Sequence, residues 1–258
     1  MKKQDCQISR ILSRRKALAL FRAAGTAILV VGCIPKKSRS TQAQSSLTVP
    51  ALPLANSTSS ACVVTPEQTE GPYFVDEKLN RSDIRSDPAD GSVKDGIPLQ
   101  LTLRVSQIGN TSCTPRAGAI VDIWHCDALG VYSDVTDPSF STAGKKFLRG
   151  YQVTDANGNV QFTTIYPGWY QGRTVHIHFK VRTDAASAQN YEFTSQLYFD
   201  DSITDRVHTE KLYASKGQRN LKNAGDGIFQ AGGDQMLLQL TKTSLGYAAT
   251  FDIGLQLA

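Results

Sequence analysis

Residues 170–182 read Tyr-Gln-Gly-Arg-Thr-Val-His-Ile-His-Phe-Lys-Val-Arg. From Thr174 to Arg182 the run has the alternation of a β-strand. Val175, Ile177, Phe179 and Val181 take one face, and His176, His178, Lys180 and Arg182 take the other, because successive side chains point to opposite sides of a strand. Two imidazoles therefore face the same way, two residues apart, and can reach one metal ion. The chain has 4 His in all, so this stretch uses half of them.

Outward from this strand the chain continues to read as β. Strands are expected at Leu99–Val105, Ala119–Trp124, Phe147–Thr154, Val160–Ile165, Ser195–Phe199 and Ala248–Leu257. Turn-forming stretches such as Asp155-Ala156-Asn157-Gly158-Asn159 separate several of them. One short helix is expected from Arg206 to Ala214, with Asp205 as its N-cap and His208 on its surface. The expected fold class is all-β, a β-sandwich with Greek-key-like connections. Neither an internal repeat nor a second domain is evident, and residues 61–258 suffice for one domain with a sizeable core.

Residues 1–33 read as an export signal. Lys2, Lys3, Arg10, Arg14, Arg15, Lys16 and Arg22 form a basic region, and Ala23 to Gly32 is apolar but too short to span a bilayer. Ser13-Arg14-Arg15-Lys16-Ala17-Leu18 resembles a twin-arginine signal, departing from it at Ala17, and Val30-Val31-Gly32-Cys33 resembles a lipobox whose Cys33 would carry a lipid anchor. Residues 34–60, rich in Ser, Thr, Ala and Pro, read as a disordered, flexible tether. The whole chain carries 28 Lys+Arg against 23 Asp+Glu, and residues 1–33 hold seven of the former and one of the latter. The remainder is 21 against 22, net −1, so the basic character belongs to the leader and gives no reason to expect nucleic-acid binding. Beyond the leader, Cys62, Cys113 and Cys126 remain. In an oxidising compartment Cys62–Cys113 is the preferred disulfide, leaving Cys126 free, although three pairings exist.

A second cluster lies upstream: Val121-Asp122-Ile123-Trp124-His125-Cys126-Asp127-Ala128-Leu129-Gly130-Val131-Tyr132-Ser133. Taken alone, Tyr132 reads as a half-buried aromatic, Tyr170 as a turn aromatic after Pro167-Gly168-Trp169, and Arg173 as a salt-bridging surface residue. His125 and Asp127 read as loop residues behind the site, since no serine nucleophile elbow accompanies them. A lone His-X-His strand is more often a Zn or Cu site or a solvated face.

Together, and in this order, the two clusters resemble the intradiol ring-cleavage dioxygenases, the family of protocatechuate 3,4-dioxygenase and catechol 1,2-dioxygenase. The resemblance runs from Thr65-Pro66-Glu67-Gln68-Thr69-Glu70-Gly71-Pro72-Tyr73-Phe74 to Thr194-Ser195-Gln196-Leu197-Tyr198-Phe199. The substrate-binding stretches of the catabolic members are not evident, nor is the N-terminal helical dimerisation region of the catechol 1,2-type enzymes, so the chain looks closer to the smaller, exported members. What the resemblance implies is a non-haem Fe(III) bound by Tyr132, Tyr170, His176 and His178. Tyr170 would leave the metal to take a substrate proton, Arg173 would stabilise negative charge on the ring, Gln196 would contact substrate or oxygen, and Tyr73 would line the pocket. The implied partners are a small aromatic diol and O2; whether the chain forms a homo-oligomer stays open. Two other readings stand beside it: a secreted Zn or Cu protein using His176 and His178 alone, and a catalytically silent β-sandwich binding module. Metal content with a visible spectrum discriminates all three.

Overall fold

The structure is a computed structural model and describes residues 63–109, 112–137, 140–183 and 191–256. The leader, the linker, Cys33 and Cys62 lie outside the described residues. Among the described residues eleven strands and two short α-helices follow in chain order: β1 (Pro98–Ile108), β2 (Cys113–Pro115), β3 (Ile120–Trp124), β4 (Thr136–Asp137), β5 (Phe140–Ser141), β6 (Arg149–Val153), β7 (Asn159–Ile165), β8 (His176–Arg182), β9 (Glu192–Tyr198), α1 (Asp201–Val207), α2 (Lys211–Ala214), β10 (Thr241–Lys242) and β11 (Tyr247–Leu255).

Two sheets form the β-sandwich. One runs β10-β11-β1-β2, with β7 also paired to β1; the other runs β6-β3-β8-β9 and is antiparallel throughout. In β1 the residues Leu99, Leu101, Leu103 and Val105 are buried while their neighbours are more exposed, the period-2 pattern of a strand with one face on the core. Ile177, Phe179 and Val181 of β8 and Val121 and Ile123 of β3 belong to the same hydrophobic cluster. Fully burying one such side chain contributes about 1.5–3 kcal/mol. The expected alternation in residues 174–182 is therefore observed, but β8 is buried on both faces except at Arg182. The second face is the candidate site.

The expected helix differs. It is two short helices, the first capped by Asp200, whose side chain accepts from the backbone N–H groups of Ser202 and Ile203. Asp200 is three residues before Ile203, the spacing at which a cap reaches the first free donors. His208 stands between the helices and is half-buried rather than a surface residue: its ring stacks on Tyr213 at 5.4 Å and 14°. Cys113 is disulfide-bonded and Cys126 is free and buried; the preferred partner Cys62 lies outside the described residues.

Candidate metal centre

Strand register assembles one wall of the site. Arg149 of β6 pairs with Trp124 of β3, Trp124 with His178 of β8, and His178 with Gln196 of β9, forming one row across the sheet. His176 pairs with Tyr198 one step further along. Residues in one such row share a face, so Trp124, His178 and Gln196 turn together away from the sandwich core.

The tyrosines come from two loops that follow β3 and β7. These loops are locked to each other. His125 Nε2 lies 2.7 Å from Thr164 Oγ1, and the Gly168 backbone N–H donates to the Asp127 carbonyl at 3.0 Å. Asp127 pairs with Lys94 at 2.8 Å and accepts from the backbone N–H groups of Leu129 and Val131. His125 and Asp127 thus brace the loops and point no donor into the site. Gly130 is required where the loops touch: it has φ +78°, and a Cβ there would stand 2.0 Å from the Trp169 carbonyl oxygen.

The four expected donors converge. His176 Nδ1 lies 2.6 Å from the Thr174 carbonyl, which can only accept, so Nδ1 carries the proton and Nε2 presents a lone pair. His178 Nε2 is 3.0 Å and Tyr170 Oη 3.2 Å from that lone pair. The Tyr132 and Tyr170 rings are 5.7 Å apart, and the Tyr132 hydroxyl is buried without a hydrogen-bond partner among the described residues. Burial is the leading cause that holds both imidazoles neutral, with Arg173 beside His176 and the neighbouring His176 beside His178 acting the same way; the His176 pKa falls to about 3 and that of His178 well below its ordinary value. Burial also pushes both phenols up, so neither ionises at neutral pH without a cation beside it.

This donor set fits a metal ion. Two neutral imidazole nitrogens and the Tyr170 oxygen lie within hydrogen-bond distance of one another, the Tyr132 ring packs beside them, and its buried oxygen has no hydrogen-bond partner among the described residues. The two imidazole Nε2 atoms stand 3.0 Å apart, close enough for both to reach one ion. Phenolate oxygen with imidazole nitrogen suits a hard, highly charged ion, whose charge two phenolates offset. No group of three or more His, Cys, Asp or Glu able to hold a metal occurs among the described residues.

Arg173 and Gln196 lie beside this point. Arg173 Nη1 is 3.4 Å from His176 Nε2, and its Nη2 donates to Gln196 Oε1 at 2.5 Å. Gln196 is fully buried and its Nε2 donates to the Thr69 carbonyl. Arg173 is thus no exposed surface residue; its side chain is 15% exposed. The Tyr73 ring packs at 4.7 Å against Tyr132, tilted by 33°, and its hydroxyl donates to Asp137 Oδ2 at 3.1 Å. A cleft of about 520 Å³ opens here, lined by Tyr73, Tyr132, Trp169, Tyr170, Gln171 and Lys216 among others.

The sequence did not single out Trp124, which stacks on His178, or Asp226, which holds Arg173 at 2.8 Å. Trp124 stood within the upstream cluster without a role, because nothing local shows that register will set it against His178. Asp226 lies 53 residues beyond Arg173, with no motif around it.

The family model described as Dioxygenase matches residues 69–221. The chain is 32% identical over 102 residues to a chlorocatechol 1,2-dioxygenase of Pseudomonas putida, covering 33% of this chain and 36% of that one. It is 28% identical over 163 residues to catechol 1,2-dioxygenase 1 of Acinetobacter lwoffii, covering 53% of this chain and 49% of that one. The chain thus spans about a third to a half of the length of these relatives. Among solved structures, an intradiol ring-cleavage dioxygenase from Tetranychus urticae superposes with a TM-score of 0.64 at 32% identity, over 76% of this chain and 95% of that one. The dioxygenase domain of a carbohydrate-binding fusion protein from Streptomyces sp. SirexAA-E gives a TM-score of 0.53 at 28% identity, over 76% and 100%.

Proposed function

The chain belongs to the intradiol ring-cleavage dioxygenase family, and from that premise we propose that it is a non-haem Fe(III) enzyme that cleaves a catechol between its two hydroxylated carbons with O2. The observation that carries this reading is the clustering of Tyr170, His176 and His178 within hydrogen-bond distance, with the Tyr132 ring and its unpartnered hydroxyl packed against them. These four residues would hold the metal. When bound, Fe(III) would supply a Lewis acid for the diol and would make its electron-rich ring reactive toward O2.

The chain's own residues supply the rest. The diol enters through the cleft beside Tyr73 and Tyr170. Tyr170, at the cleft wall, would be held as phenolate by the metal and would take up one proton as the diol binds, since burial makes that phenolate a strong base. Tyr132, fully buried, would continue to hold the metal. The Arg173 guanidinium, with Nη1 turned toward His176, stabilises negative charge on the substrate ring. Gln196 holds that guanidinium from the opposite side. One carbon–carbon bond breaks and both atoms of O2 enter the product, so a cis,cis-muconate-type diacid forms and no NAD(P)H is consumed.

The direct test is incubation of purified protein with catechol and labelled O2. A colourless diacid carrying both labelled atoms is expected. A yellow semialdehyde, or activity dependent on added Fe(II), would overturn the reading. Stoichiometric zinc in active protein would favour the Zn alternative instead.

We further propose that residues 1–33 direct export, residues 34–60 tether the catalytic domain, and Cys33 is lipidated. Fusion of residues 1–33 to a reporter tests export, and Cys33→Ala tests lipid labelling.

A further inference from the structure

We propose that Asp226 is a positioning residue for Arg173, fixing the guanidinium in the orientation from which it meets the substrate ring; this rests on the reading of the site given above. Asp226 lies outside the segment matched by the family model, which ends at residue 221. Its side chain is 1% exposed. Oδ2 accepts from Arg173 Nε at 2.8 Å and from the Thr174 backbone N–H at 2.8 Å. Oδ1 accepts from the backbone N–H groups of Ile228 at 2.8 Å and Phe229 at 3.1 Å.

The two oxygens do different things. Oδ1 is held by the turn in which Asp226 sits, so the carboxylate is placed independently of Arg173. Oδ2 then offers a fixed acceptor to Nε. A guanidinium is planar, so fixing Nε and Nη2 fixes the whole fork. With Nε bound to Asp226 and Nη2 bound to Gln196, the remaining Nη1 is left facing the donor cluster. Gln196 alone would leave the fork free to turn about one contact. The same turn is tied back to the sheet: Thr174 Oγ1 donates to Asn223 Oδ1 at 2.6 Å, and Asn223 Nδ2 donates to the Phe199 carbonyl at 2.8 Å.

A second path leaves Asp226. Thr174, whose N–H it accepts, gives its carbonyl to His176 Nδ1. An influence travelling through the backbone to His176 would be structural and independent of Arg173. The experiment must separate these two paths.

Asp226→Asn keeps the shape. Whichever way the amide turns, however, its NH2 faces N–H donors that the carboxylate accepted. We expect kcat/KM for catechol to fall about 10–100-fold, chiefly in kcat. Arg173→Ala should cost roughly 10²–10³-fold. In the Arg173→Ala background, Asp226→Asn should cost less than about twofold further, because the residue it positions is gone. The same cycle is run on anaerobic binding of 4-nitrocatechol, which needs no turnover. Multiplicative losses in both backgrounds would mean that Asp226 acts through the fold or through His176, and would overturn the proposal. Arg173→Lys gives a check that does not depend on Asp226 variants folding: it keeps the charge and removes the fork. It should resemble Arg173→Ala within about tenfold; wild-type turnover would show that orientation is irrelevant. If wild-type protein neither binds nor cleaves a catechol, the reading of the site falls and the proposal falls with it.

Discussion

The Trp124 indole lies flat on the His178 imidazole, with ring centroids 4.9 Å apart and planes 7° from parallel, and the two residues are register partners on adjacent strands. A stacked platform on one side leaves His178 only rotation in its own plane, which keeps Nε2 aimed at His176. The Trp124 Nε1 group is buried without a hydrogen-bond partner among the described residues, so its polar atom contributes nothing that phenylalanine would lose. We expect Trp124→Phe to retain the metal and most of the stability. Trp124→Ala should cost about 3–5 kcal/mol and weaken metal retention. Denaturant unfolding and metal content check both; equal behaviour of the two variants would contradict the platform role.

The donor set predicts its own spectrum. Purified protein should hold about one Fe(III) per chain and show a strong visible charge-transfer band from tyrosinate to iron. His176→Ala, His178→Ala and Tyr132→Phe should each lose iron or most activity. Tyr170→Phe should be the mildest for iron retention, because both tyrosines line the cleft but Tyr170 is only half-buried whereas Tyr132 is fully buried. Removal of iron by a chelator should abolish the band and the activity together, and both should return with Fe(III).

Gly130→Ala should separate the two loops that carry the tyrosines. The new Cβ would meet the Trp169 carbonyl oxygen at 2.0 Å, and alanine is disfavoured at φ +78°. The left-handed backbone alone costs about 1–2 kcal/mol, and the contact must be relieved by moving one loop. A lower thermal midpoint with a weakened tyrosinate band is expected. An unchanged midpoint would show that the loops are not braced there.

Stability should fall as pH drops through the mildly acidic range. Burial, the leading cause, lowers the His125 pKa to about 4 from an ordinary 6.5. The unfolded chain therefore takes up a proton between these values while the folded chain does not. The contribution is fully present above about pH 6.5, is lost as pH falls toward about 4, and amounts to about 3 kcal/mol. His176 and His178 shift in the same direction. His125→Asn should flatten the fall in denaturant midpoint between pH 6.5 and 4; an identical slope in the variant would show that His125 does not carry it.

The sequence alone determined the β architecture and singled out Tyr132, Tyr170, His176 and His178 as candidate ligands. Alternation in residues 174–182 is a local property, so it placed Ile177, Phe179 and Val181 on one face and His176 and His178 on the other before any packing was known. The ordered motifs around Tyr132 and Tyr170 carried the family because their residue types and spacing survive in one dimension. Helix limits were less legible: capping by Asp200 depends on the bend after β9, which residues 205–214 do not encode. Tertiary structure alone decided that Trp124 meets His178, that Gly130 lies against Trp169, and that Asp226 holds Arg173. Each of these contacts joins segments many residues apart through sheet register or loop closure, and neither leaves a periodic trace along the chain.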